Sequence, residues 1–205
     1  MSRDRTSSSP LYPRITLRVD PSLLVQFFLL LQQGVRIRRR VNCSVEVFLR
    51  QEMGAAPETI EKIQSLMLDG KPVDDIRSSL VHDGSTLALS AAMPGLVGAT
   101  LRRGGAYASL RSGITYRETE QASAPREGWV TVKIFNLLMA EMGPGLLRAG
   151  VLVRSADLIS LLKERSKEIG QGLSGTLEGS PVDSGALERG NLLAGKDEVF
   201  LTASV

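Results

Sequence analysis

Two stretches of this 205-residue chain carry the same series of patterns in the same order. That duplication restricts the fold more than any single motif does. Ile15-Thr16-Leu17-Arg18-Val19 alternates apolar and polar residues, as a strand with one buried face should. Val130-Thr131-Val132-Lys133-Ile134 repeats the alternation. Each run leads into a Leu-rich stretch, Leu23-Leu24-Val25-Gln26-Phe27-Phe28 or Phe135-Asn136-Leu137-Leu138-Met139. Each stretch then reaches a glycine and a second strand pattern, Gly34-Val35-Arg36-Ile37-Arg38 or Gly150-Val151-Leu152-Val153-Arg154.

A helical pattern follows in both copies. Val45, Phe48, Leu49 and Met53 fall at i, i+3, i+4 and i+8, on one helix face, and Leu158, Leu161 and Leu162 repeat the first three positions. Ser44 and Ser155 stand near the starts, where a hydroxyl accepts an orphan backbone N–H. The closest match is Leu68-Asp69-Gly70-Lys71-Pro72-Val73-Asp74 with Leu177-Glu178-Gly179-Ser180-Pro181-Val182-Asp183. An acidic-Gly pair between apolar residues marks a tight turn, and the proline after it suits an edge. Leu87-Ala88-Leu89-Ser90-Ala91 and Val199-Phe200-Leu201-Thr202-Ala203 close the two copies as strands. The offset between copies stays within 109 to 116 residues. Aromatic residues make up only 4% of the chain, so the core must be built from Leu, Val, Ile and Met.

Two strands, a helix, a strand with a glycine turn and a last strand is the element order of the β-grasp. On Val132-Lys133-Ile134-Phe135-Asn136-Leu137-Leu138, Leu68-Asp69-Gly70-Lys71-Pro72-Val73 and Asp83-Gly84-Ser85-Thr86-Leu87, the chain resembles ubiquitin-like proteins. The pattern is nearest to the molybdopterin-synthase small subunit and the thiamine sulfur carrier. The resemblance implies an α+β fold of two tandem β-grasp domains, each a mixed sheet with one main helix. The expected layout is a disordered leader at 1–13 and a first domain at 14–111 whose Gly-rich arm covers 93–111. A linker at 112–128 and a second domain at 129–205 complete it. The arm is expected to pack as an extra strand or arm across the first domain or to present its apolar residues to a partner.

The fold serves many functions, so function must come from the residues. One cysteine, Cys43, excludes an intrachain disulfide and a Cys-cluster metal site, and one histidine, His82, leaves no His-based zinc site. There is no Walker-type loop, dinucleotide fingerprint or Gly-x-Ser-x-Gly elbow. No catalytic residue, cofactor or metal is therefore assigned, and the chain is expected to be non-enzymatic. Cys43 reads as a small core residue and His82 as a turn residue. The most apolar run, residues 23–31, is too short to span a membrane, which takes about 20 residues. A cytoplasmic protein without a membrane partner is expected.

Arg36, Arg38 and Arg40 lie two apart on a strand and share a face. Three guanidiniums in a row suit carboxylates or phosphates. With Arg102 and Arg103 they form the candidate interaction surface, and the expected partner is a protein. Residues 1–115 carry 15 Lys+Arg against 10 Asp+Glu, and the remainder 10 against 12. That excess is weaker than a nucleic-acid binder's, and no aromatic residue stands near the basic strand, so nucleic acid is not expected. Two alternatives remain. One is a sulfur carrier: Arg102-Arg103-Gly104-Gly105 resembles a ubiquitin C-terminus and would need cleavage after Gly105. The second copy closes on Leu201-Thr202-Ala203-Ser204-Val205 rather than Gly-Gly and is not expected to act so. The other is a weak RNA-binding module resembling TGS domains.

Overall fold

The computed structural model describes residues 12–111, 113–119, 123–165, 173–182, 185–186, 193 and 195–205. Residues 1–11 of the expected leader, Ser112 and residues 120–122 of the expected linker, and Asp183 lie outside the described residues.

β1 (Arg14–Val19) alternates exposed and buried residues throughout, the pattern its sequence carries. The Leu-rich stretch after it is helical: α1 (Pro21–Leu24), a 3-10 turn (Val25–Phe27) and α2 (Phe28–Gln33). Proline at the first helical position fits because its missing N–H would be unpaired there anyway. Leu24, Phe27, Leu30 and Leu31 are the buried side of this segment, and Gly34 ends it at φ +114°. β2 (Val35–Val41) and β3 (Cys43–Ser44) lead into α3 (Val45–Val47), where the Ser44 hydroxyl accepts the Val47 N–H at 3.3 Å. A π-helical turn (Phe48–Glu52) and α4 (Pro57–Glu61) follow. Then come β4 (Ser65–Leu68), β5 (Lys71–Pro72), β6 (Leu80–Val81) and β7 (Thr86–Ser90). The Gly-rich arm is not a strand. It forms α5 (Gly95–Leu101) and a 3-10 turn (Ala108–Arg111).

β8 (Arg126–Phe135) begins inside the stretch expected to be linker. Residues before it are also tied down: the Tyr116 N–H donates to the Pro72 carbonyl at 2.8 Å, and the Leu80 N–H to Glu118 Oε2 at 2.9 Å. α6 (Leu138–Ala149) buries Leu138, Met142, Leu146 and Leu147 along one face and ends at Gly150, φ +94°. β9 (Val151–Arg154), α7 (Ser155–Glu164), β10 (Leu173–Leu177), β11 (Ser180–Val182) and β12 (Glu198–Ser204) complete the chain.

The fold is α+β, with ten of these strands in one mixed sheet ordered β11-β10-β1-β12-β9-β2-β8-β7-β4-β5. β3 and β6 form a separate pair. The expectation of two separately packed cores, each with one main helix, is not met. The opening strand of each matched stretch lies among strands of the other. β8 sits between β2 and β7, antiparallel to β2 over seven residue pairs and parallel to β7 over five. β1 sits between β12 and β10, parallel to one and antiparallel to the other.

The helices explain this exchange. A tight turn between first and second strands would pair them as an antiparallel hairpin. A helical crossover of about a dozen residues instead returns the chain parallel to where it began. β1 and β2 are parallel, as are β8 and β9, so each second strand pairs antiparallel to something else. α2 packs on β8, α6 packs on β12 and β8, and the two helices touch each other. At that contact a Cβ on Gly143 would stand 2.8 Å from Phe28 Cε1 and 3.0 Å from Leu31 Cδ1, so glycine lets the helices approach this closely without displacing either side chain.

Ile15, Leu17, Val35, Ile37, Val130, Val132, Val199 and Leu201 point to the helix side and are at most 1% exposed. Buried residues from both stretches make one cluster. The two halves of the sheet meet at β2 and β9 through a single pair, Arg36 opposite Leu152. Its outer strands are short and each holds a proline, Pro72 or Pro181, which blunts them against pairing with another chain. Both outer hairpins turn on two residues with positive φ, Asp69-Gly70 and Glu178-Gly179, the geometry of a tight hairpin turn. Among the described residues no helix is long and apolar enough to cross a membrane.

Candidate functional site

Because the inward residues of every strand face the helices, the alternate residues form a second sheet face. Directly paired residues project to the same side of a sheet. The register therefore places Arg14, Phe200, Leu152, Arg36, Thr131 and Thr86 in one row across six strands. Arg38 lies opposite Trp129 and Arg40 opposite Glu127. The three arginines of β2 do share this face, and β2 is interior to the sheet.

Their surroundings differ. Arg36 Nη1 donates to both oxygens of Glu198, at 2.9 and 2.8 Å, across the β2/β9 seam. Its guanidinium also lies 4.9 Å from the Trp129 ring centroid, and Tyr12 meets that ring edge-on at 6.0 Å. Arg14 lies over Phe200 at 5.0 Å. Such cation–ring contacts are each worth about 0.5–1 kcal/mol when exposed. Arg38 is 63% exposed and stands 3.7 Å from Glu127. Arg40 is exposed and has no ion pair among the described residues. Arg154 is held by Asp157 at 2.7 and 3.0 Å. Arg39, which interrupts the alternation, turns inward and donates Nε to the Glu52 carbonyl at 3.0 Å, capping the π-helical turn.

Arg102 and Arg103 do not join this stripe. They follow α5 beside β4, three strands from β2. The Arg103 N–H donates to the Gln64 carbonyl at 2.7 Å, and the Gly105 N–H returns to the Arg102 carbonyl at 3.1 Å. Gly104 takes φ +64° in that turn. The Arg-Arg-Gly-Gly segment is thus a folded turn, not an extended tail. Cleavage after Gly105 would require it to open first.

The residue that holds this turn escaped sequence reasoning. Arg111 is buried and donates Nη2 to Asp74 at 2.6 Å and to the Arg102 carbonyl at 3.1 Å. Nothing in the local pattern distinguishes Arg111 from a surface arginine, because its partner is 37 positions away.

His82 opens a turn as expected, its carbonyl accepting the Ser85 N–H at 3.2 Å, and its ring has partners as well. Its Nδ1 lies 3.3 Å from Asn42 Oδ1 and its Nε2 3.4 Å from Glu118 Oε1, beside a polar hollow that Asp69, Lys71 and Ser85 also line. The Ser85 hydroxyl donates to Asp69 at 3.2 Å and accepts the His82 backbone N–H at 3.2 Å. Burial, with Glu52 adding to it against Arg40, pushes the Cys43 thiol above its ordinary value. A nucleophilic cysteine needs the opposite shift.

No family model matches the chain, and neither a curated protein nor a solved structure does.

Proposed function

We propose that this is a non-enzymatic binding protein, ubiquitin-like in type, that docks an acidic protein segment on the open face of its sheet. The observation that carries the reading is the row itself: Arg36, Arg38 and Arg40 run in line on a central strand. Arg38 and Arg40 are the exposed members, and their donors suit carboxylates. On this reading the half of the sheet from β2 to β5 is a β-grasp whose first strand has been exchanged. The order β2-β8-β7-β4-β5 favours it, being a second, first, last, third and fourth strand in sequence role. A cytoplasmic setting belongs to the same reading, in keeping with a lone cysteine.

The test is capture from native-host extract on immobilised wild type, Arg38→Glu and Arg40→Glu, with thermal melting of each. Loss of one rim charge costs about 0–1 kcal/mol, whereas like charges brought together can cost several. A captured protein that disappears with both reversals at unchanged melting supports the reading. Undiminished recovery refutes it.

A second reading, single-stranded RNA, is favoured by the rings that the fold brings beside arginines of this face, Trp129 at Arg36 and Phe200 at Arg14. Aromatic side chains stack bases at about 1–3 kcal/mol each. It calls for saturable poly(U) binding that weakens with salt and with Trp129→Ala. Without such binding it falls.

A further inference from the structure

At the β4 end, the open face deepens into a cavity of about 330 Å³, within the range of small-molecule sites. Two neighbouring rows of paired residues build it, Met67, Ala88 and Lys133 in one and Ser65, Ser90 and Phe135 in the other. Met93 and Pro94, leading into α5, close one side. The lining is mainly apolar, and methionine thioethers adapt to varied apolar shapes.

Its polar groups fall into two sets. Ser90 and Asn136 satisfy each other: Asn136 Nδ2 donates to Ser90 Oγ at 3.1 Å, and Ser90 Oγ donates to the Ala92 carbonyl at 3.0 Å. Ser65 and Lys133 are not so engaged. Ser65 is 3% exposed, yet its Oγ has no hydrogen-bond partner among the described residues. A buried hydroxyl left unpaired is costly and calls for a reason. Lys133 is the only charged residue lining the cavity and has no ion pair among the described residues. Its neighbours across the sheet are small: Ala88 lies directly beside it on β7, and on the β2 side its Cε passes 3.1 Å from where a Gly34 Cβ would be, so the ammonium stands at the outer, β8 edge of the cavity and not over its floor.

We propose that this cavity binds a small amphiphile, an apolar chain or ring carrying one anionic head group. The apolar body lies on Met67, Ala88 and Phe135 under Met93, and the head group meets the Lys133 ammonium at the rim. Apolar area removed from water supplies the attraction, and the cation selects the charge.

Titration calorimetry on the full chain tests this with octanoate and, as the uncharged match, 1-octanol. Octanoate should saturate at one site per chain. Lys133→Met should weaken octanoate by about tenfold or more, the scale of one charged hydrogen bond, and leave 1-octanol unchanged. Ala88→Phe should abolish both. If Ala88→Phe lowers the melting temperature, Met93→Trp fills the same space from the loop without touching the sheet. Absence of saturable octanoate binding to the wild type overturns the proposal. So does octanoate binding that survives both filling variants, or an octanoate affinity that Lys133→Met leaves untouched or lowers no more than that of 1-octanol.

Discussion

Cutting the gene so that residues 1–119 and 120–205 are made as separate chains should leave neither piece folded alone. The first piece keeps β2 and β7 but loses β8, the strand between them. With it go the seven-pair ladder to β2 and the five-pair ladder to β7. Val130, Val132 and Ile134, each 0% exposed, leave the core as well. Full burial of such a side chain is worth about 1.5–3 kcal/mol, so these three account for roughly 5–9 kcal/mol. A whole domain is stable by only about 5–15 kcal/mol. The second piece loses β1, and Ile15, Leu17 and Val19, at most 2% exposed, no longer cover the core between β12 and β10. Circular dichroism melts and proton–nitrogen correlation spectra of each piece, alone and mixed in equal amounts, provide the assay. Each piece alone should show collapsed spectra and no cooperative melt, and mixing should restore both. A cooperative melt with a dispersed spectrum from either piece alone would refute the exchanged-strand reasoning.

Asp74→Ala leaves the buried Arg111 cation without its carboxylate. Because Asp74 itself is 36% exposed, the loss should sit at or below the low end of the about 3–5 kcal/mol for breaking a buried pair. Urea unfolding measures it, and faster proteolysis near residues 102–107 should accompany it; an unchanged midpoint would mean the clasp is idle. Cys43, its thiol raised by burial first and by Glu52 second, should react with iodoacetamide at pH 8 more slowly than free cysteine does, and a faster rate would contradict that environment. The Lys62 and Thr59 hydrogen bonds hold the Glu141 carboxyl below its ordinary value. Its contribution is therefore complete above the unfolded glutamate value of about 4.3 and is lost as pH falls through the lower folded value. Glu141→Gln should flatten stability against pH on that acid side only; an identical acid limb would remove the assignment.

Legibility of the site follows distance along the chain. The β2 arginines could be placed on one face because strand alternation is a local property. What surrounds them could not: Glu198 is 162 positions from Arg36, and Trp129 sits on another strand. The sequence reading therefore found no aromatic residue near the basic strand, while the folded sheet puts the Trp129 ring against Arg36 of that strand. The burial of Arg111 and the polar setting of His82 were hidden for the same reason, since partners 36 to 40 positions away leave no local trace.

By itself the sequence determined the opening, second and closing strands of each copy and the two acidic-Gly turns. Val130, Val132 and Ile134 bury because their spacing matches the two-residue period of a strand. Asp69-Gly70 and Glu178-Gly179 turn because few other pairs tolerate positive φ twice. The helical spacing of Leu24, Phe27 and Leu31 and of Leu138, Met142 and Leu146 was also present in the sequence, though runs so rich in leucine mask their period. Which strand pairs with which was decided only in three dimensions. Backbone N–H and C=O groups are the same on every strand, so they carry no address. The helical crossovers after β1 and β8, and the apolar faces those helices had to cover, carried each opening strand into the other half of the sheet.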